Sequence, residues 1–186
     1  MLNFKNLKPE LIEKASKIRL LLTDSDGVLT DTGVYYSERG EELKRFSIRD
    51  GMGVERLRVL SGVETGIITG EISGSVRTRA EKLGITELYM GVKNKGEVFE
   101  FIAAKKELNF ESIAYIGDDT NDIEVLKMAG LSACPADAVI QIKQITDFIT
   151  DSRGGNGAFR DFAELIIYSR TGKLEIPDSI LENTIK

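Results

Sequence analysis

The stretch LLLTDSDGVLT, residues 20–30, decides the fold, because an apolar run ends abruptly in two carboxylates. Such a run is typical of a strand in a parallel sheet that helices cover on both faces. In open α/β sheets, ligands bind at the carboxyl ends of such strands. Asp24 and Asp26 follow this strand, and burying their charges is costly without a partner. We therefore expect a divalent metal ion and a phosphate group as their partners.

Length and charge narrow the possible functions. A chain of 186 residues is long enough for one domain with a proper core and too short for two. Its net charge of −5 argues against nucleic acid or an anionic membrane as a partner. An anionic substrate would then need a local cluster of cations, or a metal ion, to hold it.

Histidine and cysteine usage excludes several kinds of catalysis. The sequence has no histidine, which excludes Ser-His-Asp and Cys-His mechanisms and most zinc sites. Acid–base catalysis must then come from carboxylates, lysine or tyrosine. The one cysteine, Cys134, cannot form an internal disulfide, which fits a reducing compartment. Residues 1–17 lack a signal-peptide pattern and no apolar run approaches a membrane span, so we expect a cytoplasmic protein.

Strand and helix patterns alternate along the chain and predict an α/β fold with a doubly wound parallel sheet. The predicted strands span residues 18–23, 63–68, 86–89, 112–116, 131–133 and 147–150. The predicted helices span residues 8–17, 50–60, 73–83, 95–107, 121–129, 138–143 and 158–168. A β-hairpin is expected at residues 34–46, with its turn at 37–41.

The pattern also predicts how the chain is divided. Residues 18–168 form the domain, residues 1–17 an N-terminal extension, and residues 169–186 a tail. Gly172 and Pro177 interrupt the tail, so we expect it to leave the body of the domain.

Chemically useful side chains follow the predicted strands. Asp24 and Asp26 follow the first core strand, Thr69 and Gly70 follow the second, and Lys95 begins a helix. A later core strand is followed by three more aspartates, Asp118, Asp119 and Asp122. Because parallel strands bring their carboxyl ends to one edge, we expect these side chains to lie close together.

This set of side chains suits phosphoryl transfer assisted by a metal ion. Mg²⁺ prefers oxygen ligands such as carboxylates. One aspartate can attack phosphorus, and another two residues on can protonate the leaving alcohol and then activate water. Thr69 can donate a hydrogen bond to a phosphoryl oxygen, and Lys95 can neutralise its charge.

Each motif alone also has an ordinary structural explanation. Asp-x-Asp and Gly-Asp-Asp are common in turns, and Asp119 or Asp122 could simply cap a helix. Lys95 alone could be a surface lysine. The conjunction of all four motifs, in this order and after these strands, favours the functional interpretation.

The conjunction closely resembles the haloacid dehalogenase superfamily of phosphohydrolases, whose four motifs would span residues 24–122. By this resemblance Asp24 is the nucleophile and Asp26 is the general acid and base. Thr69 and Lys95 would bind the phosphoryl group.

The same resemblance implies a Mg²⁺ site. Its ligands would be Asp24, the backbone carbonyl of Asp26, and Asp118. Asp119 and Asp122 would support the metal ion and the lysine. Ser25 departs from the pattern, which usually has an apolar residue between the first two aspartates, and we expect altered packing there rather than lost chemistry.

Short gaps between the motifs leave no room for a cap domain. This resembles the capless branch that acts on phosphorylated 3-deoxy-2-ulosonic acids. The other marks of that branch lie at residues 26–31, 46–53 and 153–160, so that the resemblance covers about residues 18–168. Members of the branch are tetramers in which neighbouring subunits cover the open site, which implies a homotetramer. The predicted hairpin, which would protrude, could supply that contact or could pack on its own domain.

Two substrate types are open within the branch. Octulosonate 8-phosphate phosphatases usually have arginine where Glu71 follows Thr-Gly here, and Glu71 with Lys82 resembles the nonulosonate 9-phosphate phosphatases. We therefore expect a nonulosonate 9-phosphate, with the eight-carbon substrate of lipopolysaccharide synthesis as the alternative. Arg79 and Lys82 share a helix face and could bind the sugar acid's carboxylate, or could form a solvated basic face. The expected substrate-binding set is Arg49, Gly70, Glu71, Arg79 and Lys82.

Two alternatives come from other classes of protein. A signalling receiver domain also uses paired acids, a threonine and a lysine, but its phospho-accepting aspartate ends a central strand, where this chain has Thr69. A non-catalytic oligomerisation module would not need every catalytic position to be filled.

Overall fold

A six-stranded parallel sheet forms the centre of the protein in the computed structural model, which describes residues 7–173. The strands along the chain are β1 (Leu20–Thr23), β2 (Thr30–Ser37), β3 (Gly40–Phe46), β4 (Glu64–Ile68), β5 (Glu87–Tyr89), β6 (Ile113–Ile116), β7 (Leu131–Cys134) and β8 (Phe148–Ile149). The order in the sheet is β5-β4-β1-β6-β7-β8, with every neighbouring pair parallel.

Strand β1 lies at the point where the sheet order reverses. It pairs with β4 on one side and with β6 on the other, so that Thr23 lies opposite Ile67 and Ile116. All four β1 residues are buried, which explains why the strand is continuously apolar rather than alternating. The crevice beyond its carboxyl end is the position where open α/β sheets bind ligands.

Within the described residues, seven helices pack on the two faces of the sheet. They are α1 (Pro9–Ser16), α2 (Ile48–Ser61), α3 (Gly74–Leu83), α4 (Lys95–Lys105), α5 (Ile123–Met128), α6 (Ile140–Lys143) and α7 (Ala158–Thr171). Helices α1, α2, α3 and α7 share one core with Leu21 and Ile67, whereas α4, α5 and α6 share the other with Leu20 and Leu22. The predicted doubly wound fold is confirmed. None of the helices between residues 7 and 173 is long and apolar enough to span a membrane.

Strands β2 and β3 form the predicted hairpin as a separate antiparallel sheet. Its turn uses Gly40 at φ 108°, a left-handed conformation that favours glycine. The hairpin is the only regular element between β1 and α2 in the described part of the chain, and a single helix, α3, separates β4 from β5. The expected absence of a cap domain is therefore confirmed for residues 7–173.

Helix α7 is longer than the sequence predicts. It continues to Thr171 rather than ending at Tyr168, because the first helix-ending residue is Gly172, which caps it at φ 68°. Arg170 donates hydrogen bonds to the carbonyls of Ser16 and Ile18, which ties the end of α7 to α1. Residues 169–171 thus belong to the packed helix, and residues 174–186 of the predicted tail lie outside the described residues. The division into extension, domain and tail stays a prediction.

The helix expected at residues 121–129 begins differently. A short 3₁₀ turn at Thr120–Asp122 precedes α5, which is only six residues long. The Asp119 side chain accepts a hydrogen bond from the Thr120 amide, and Asp122 turns its carboxylate back onto the preceding loop. The first turn is therefore organised around aspartate side chains rather than as a regular helix.

Candidate active site

The carboxyl ends of β1 and β6 and the start of α4 bring three charged side chains together. Lys95 Nζ lies 2.8 Å from Asp24 Oδ2 and 2.7 Å from Asp122 Oδ1. Asn94 caps α4 by accepting a hydrogen bond from the Glu97 amide, so that Lys95 is the first residue of the helix. Its side chain is only 3% exposed, and a buried ammonium requires such partners.

Asp122 is fully buried, and both of its oxygens are already occupied. Oδ1 accepts hydrogen bonds from Lys95 and from the Tyr115 hydroxyl, the latter at 2.6 Å. Oδ2 accepts from the backbone amides of Asp118 and Asp119. Asp122 therefore orients the lysine and the loop after β6, and it has little capacity left to bind a ligand.

Asp118 differs from Asp122, because its Oδ1 is buried without any hydrogen-bond partner among residues 7–173. Its carboxylate fills the space beside Gly27, where an added Cβ would lie 1.9 Å from Asp118 Oδ2. Gly27 also has φ 83°, so both its backbone conformation and the close approach favour glycine. An orphaned carboxylate oxygen at this position indicates a ligand that supplies positive charge.

Carboxylate oxygens of Asp24, Asp118 and Asp122 lie within 4.8 Å of one another. Burial and the Asp122 charge outweigh Lys95 and raise the pKa of Asp24 to about 7. Burial, and then the neighbouring carboxylates, raise the pKa of Asp118 to about 8. Burial opposes the charge on Lys95, but Asp24 and Asp122 outweigh it and raise its pKa.

Three carboxylates thus share one ammonium, and the cluster has an excess of negative charge. The orphaned Asp118 oxygen and the all-oxygen donor set fit a hard divalent cation such as Mg²⁺. Each Asp122 oxygen already accepts two hydrogen bonds, whereas each Asp24 oxygen has one partner within the described residues, the Ser25 amide or Lys95. Asp24 and Asp118 are therefore the side chains best able to hold it.

Asp26 has a separate cation. Lys44 Nζ, from β3, lies 2.8 Å from each of its carboxylate oxygens, and Glu41 Oε2 lies 3.3 Å from the same ammonium. Burial opposes the charge on Lys44, but Asp26 and Glu41 outweigh it and raise its pKa. Thr30 Oγ1 also approaches Asp26 at 3.4 Å.

A cavity of about 360 Å³ opens above the cluster. Asp24 and Asp26 lie in its wall, and the segment after β4 adds Thr69, Gly70 and Glu71. The rest of the lining is Thr32, Asp118, Asp119, Thr120 and Asn121. Thr69 is buried whereas Glu71 is exposed, so the cavity has a closed floor and an open rim.

The other predicted substrate-binding residues lie elsewhere. Arg79 and Lys82 line a second groove of about 530 Å³ between the hairpin and α3. Arg79 donates a hydrogen bond to the Ser47 carbonyl and lies over the Phe46 ring at 5.9 Å. Arg49 is exposed in a third groove near Asn156. Of the predicted set, only Gly70 and Glu71 line the carboxylate cavity of this chain.

The loop at residues 153–157 packs against the segment that carries Asp26. Gly155 donates its amide to the Val28 carbonyl at 2.8 Å. A Cβ added to Gly154 would lie 1.9 Å from the Gly27 carbonyl oxygen. The loop therefore supports the backbone after β1 from the side.

The sequence interpretation missed Lys44 and Tyr115. A lysine in a hairpin ordinarily faces solvent, so nothing in the local pattern marked Lys44. Tyr115 occurs within an apolar strand, where an aromatic residue normally contributes to the core. Its hydroxyl contact with Asp122 becomes visible only when the strand and the following loop are folded together.

Fold and site together define a hydrolase of the haloacid dehalogenase-like family. The family profile described as haloacid dehalogenase-like hydrolase matches residues 66–160, and the chain belongs to this family. It is a phosphoric monoester hydrolase of that family, which rules out the receiver domain and argues against a non-catalytic module.

The relatives narrow the branch. The 3-deoxy-D-manno-octulosonate 8-phosphate phosphatase KdsC of Escherichia coli K12 is 42% identical over 166 residues, which cover 89% of this chain and 87% of that protein. The crystal structure of the phosphatase of that name from Yersinia pestis has a TM-score of 0.84 at 38% identity, covering 88% of each chain. That from Moraxella catarrhalis, in complex with a magnesium ion, a phosphate ion and KDO, has a TM-score of 0.86 at 32% identity and covers 96% of this chain and 99% of its own.

Proposed function

We propose that this chain is a Mg²⁺-dependent phosphatase of phosphorylated 3-deoxy-2-ulosonic acids, with 3-deoxy-D-manno-octulosonate 8-phosphate as the first candidate substrate. The observation that carries the proposal is the buried carboxylate cluster. In it Asp24 contacts Lys95, and Asp118 has a buried oxygen without a hydrogen-bond partner among the described residues. The names of relatives up to 42% identical support the choice of substrate.

The first proposed step forms a covalent bond to Asp24. A carboxylate oxygen of Asp24 attacks phosphorus, and the bond between phosphorus and the sugar oxygen breaks. Asp26 donates its proton to the departing oxygen, which leaves as an alcohol. Lys95 and Thr69 hold the phosphoryl oxygens while charge develops on them.

The second proposed step releases phosphate. Asp26, now a carboxylate, takes a proton from water as the water oxygen attacks phosphorus, and the bond between phosphorus and Asp24 breaks. Asp24 returns as a carboxylate and Asp26 returns as an acid, so that the enzyme is regenerated without any other reactant.

The Mg²⁺ ligands would be Asp24, Asp118 and the backbone carbonyl of Asp26. A bound Mg²⁺ ion neutralises negative charge, so that an anionic carboxylate can approach an anionic phosphoryl group. Asp122 fixes the position of Lys95 and accepts a hydrogen bond from the Asp118 amide. Asp119 supports the same loop by accepting a hydrogen bond from the Thr120 amide.

Phosphate release from purified protein with Mg²⁺ tests the proposal. We expect turnover of 3-deoxy-D-manno-octulosonate 8-phosphate that is lost on chelation and restored by added Mg²⁺. A protein that releases no phosphate from any sugar acid phosphate would overturn it.

A nonulosonate 9-phosphate is the second candidate, because Glu71 lies at the cavity rim where arginine is usual in the eight-carbon enzymes. This substrate choice stays a prediction. Glu71→Arg combined with Lys82→Ala should shift the kcat/KM ratio towards the eight-carbon substrate if the two residues select the longer one. An unchanged ratio would refute their role in selection.

We also propose that the enzyme is a homotetramer in which a second copy covers the open cavity. The hairpin supports this, since Tyr35, Tyr36 and Leu43 expose 65%, 70% and 63% of their surfaces. Sedimentation equilibrium should give a mass of four chains, and Tyr35→Ser with Leu43→Ser should lower it. A monomer with full activity would contradict the proposal.

A further inference from the structure

We propose that Lys44, on the hairpin strand β3, is a positioning residue for the acid–base group Asp26. The inference rests on the proposed function, because Asp26 has that role only in ester hydrolysis. Both oxygens of Asp26 lie 2.8 Å from Lys44 Nζ, and the other side-chain partner of Asp26 among the described residues, Thr30 Oγ1, is at 3.4 Å. The ammonium group is therefore the main determinant of where the carboxyl group lies.

The burial pattern of β3 is inverted at this point. The Lys44 side chain is 1% exposed, whereas its apolar neighbour Leu43 is 63% exposed. Side chains alternate between the two faces of a strand, so a shift of one residue would bury the leucine and expose the lysine. Burying an ammonium has a desolvation cost that an apolar side chain does not have. The arrangement favours a role in the site over a contribution to stability.

Lys44 is itself held in place from its other side. Glu41 Oε2 lies 3.3 Å from the ammonium, and Glu41 Oε1 accepts a hydrogen bond from the Ser73 hydroxyl. Ser73 caps α3 by accepting a hydrogen bond from the Val76 amide at 3.3 Å. A continuous path therefore runs from the first turn of α3 through Glu41 and Lys44 to Asp26, which gives a flexible lysine one position.

This position matters for the departing oxygen. A general acid must be within hydrogen-bond reach of the atom that it protonates, and proton transfer by a positioned group contributes about 10²–10⁴-fold to the rate. Asp26 is partly exposed on a loop at the cavity wall, so without Lys44 its carboxyl group could adopt other rotamers. Lys44 thus makes hairpin β2–β3 part of the catalytic machinery.

The test compares two leaving groups in Lys44→Met, Lys44→Arg and Glu41→Gln. A sugar acid phosphate leaves as an alkoxide that needs a proton, whereas p-nitrophenyl phosphate leaves as a stable phenolate that does not. For Lys44→Met we expect kcat/KM for the alkyl ester, which reports the steps up to departure of the sugar alcohol, to fall by about 10²-fold or more. The kcat/KM for the aryl ester should fall far less, because its leaving group needs no proton from Asp26. Lys44→Arg should recover part of the activity on the alkyl ester. Glu41→Gln should cause a smaller loss of activity that again affects the alkyl ester more than the aryl ester.

Lys106→Met is the matched control, because Lys106 also lies between two carboxylates, 2.7 Å from Glu64 and 3.3 Å from Glu87, but outside the cavity. It should leave both activities unchanged. Equal losses on the two esters, or no loss, would overturn the role of Lys44 while leaving the proposed function intact. Wild-type protein inactive on both esters would instead overturn the proposed function. If Lys44→Met does not fold, Lys44→Arg and Glu41→Gln decide by the same ratio.

Discussion

Both ends of the central sheet hold lysines paired with buried carboxylates, but the two clusters differ in charge. At the carboxyl end, the single Lys95 lies between Asp24 and Asp122, with Asp118 beside them. At the amino end, Lys105 and Lys106 both contact Glu87, at 2.9 and 3.3 Å. The first cluster has one lysine for three carboxylates, whereas in the second cluster two lysines contact the single carboxylate of Glu87.

The direction of the pKa shifts follows this difference. Burial and neighbouring carboxylates raise the pKa values of Asp24 and Asp118 to about 7 and about 8. Burial also opposes the ionisation of Glu87, yet Lys105, Tyr89 and Lys106 outweigh it and lower the pKa. Similar residue types therefore form a stabilising ion-pair network at one end and, at the other, a site whose carboxylates outnumber its one lysine. The sign of the shift, rather than the presence of buried ion pairs, separates the two.

Removing one carboxylate from each cluster should give the largest difference in activity between the two clusters. Asp24→Asn should abolish turnover, with a loss on the order of 10⁴-fold or more, because the proposed nucleophile is gone. It should leave the metal-free fold as stable or more stable, since it removes unbalanced negative charge. Glu87→Gln should keep activity and lower stability, because two lysines lose their charged partner. Phosphate release and urea unfolding measure these effects, and retained hydrolysis by Asp24→Asn would disprove the nucleophile assignment.

Removing one lysine from each cluster should also affect activity and stability differently at the two ends. Lys95→Met should lower kcat by about 10²–10³-fold, as loss of a group that stabilises developing charge does. In the metal-free protein it should also lower the free energy of unfolding by about 3–5 kcal/mol, because it leaves buried carboxylates unpaired. For Lys106→Met we expect about 1 kcal/mol or less, because Lys105 remains beside Glu87. Equal effects on activity would contradict the distinction between the clusters.

Stability should depend on pH in opposite directions at the two ends. The raised pKa values of Asp24 and Asp118 mean that the folded protein holds protons that the unfolded chain has released. The metal-free protein should therefore lose stability as the pH rises from about 4 to about 8. Glu87, with its lowered pKa, contributes stability that is lost only as the pH falls through that value.

Mg²⁺ should reverse that loss at the carboxyl end. At 100 times its dissociation constant, the ion should add about 2.7 kcal/mol to the free energy of unfolding. The gain should be larger at pH 8 than at pH 5.5, because the carboxylates must be ionised to bind it. Thermal melts of wild type and Asp118→Asn would check this. If the melting temperature of Asp118→Asn responds to Mg²⁺ like that of the wild type, Asp118 is not a ligand of the ion.

The smallest effect should come from Ser25, whose buried hydroxyl, like Asp118 Oδ1, has no hydrogen-bond partner in the part of the chain that the structure describes. The two orphaned atoms differ, because only the carboxylate oxygen belongs to the cluster that has an excess of negative charge. Ser25→Ala should raise the free energy of unfolding by up to about 1 kcal/mol, since it removes an unsatisfied polar group. Activity should stay within the range of the wild type. Destabilisation in urea melts would show that the hydroxyl has a partner after all.

Much of the fold could be predicted from the sequence because local pattern and tertiary role agree there. The run at residues 20–23 predicts a strand buried on both sides, and the acids that follow it lie at the expected edge. The convergence of Asp24, Lys95 and Asp122 needed only the rule that parallel strands end together. Strand order and packing then fixed the distances.

Other parts depend on contacts that no local pattern encodes. The pairing of Lys44 with Asp26 requires the hairpin to fold back over the loop after β1. The sequence pattern predicts that Arg79 binds the substrate, yet its guanidinium donates a hydrogen bond to the carbonyl of Ser47, 32 positions earlier in the chain. The length of α7 depended on Gly172 rather than on the periodicity of the apolar residues.

Gly154 shows how a residue without any reactive group can restrict the whole enzyme. Its α-carbon lies so close to the Gly27 carbonyl that even one methyl group would displace the loop that follows β1. A random mutagenesis screen should therefore score position 154 as intolerant as position 24, although no substrate atom need ever touch it. Attempts to redirect this scaffold towards new esters should vary the rim around Glu71 and leave that glycine unchanged.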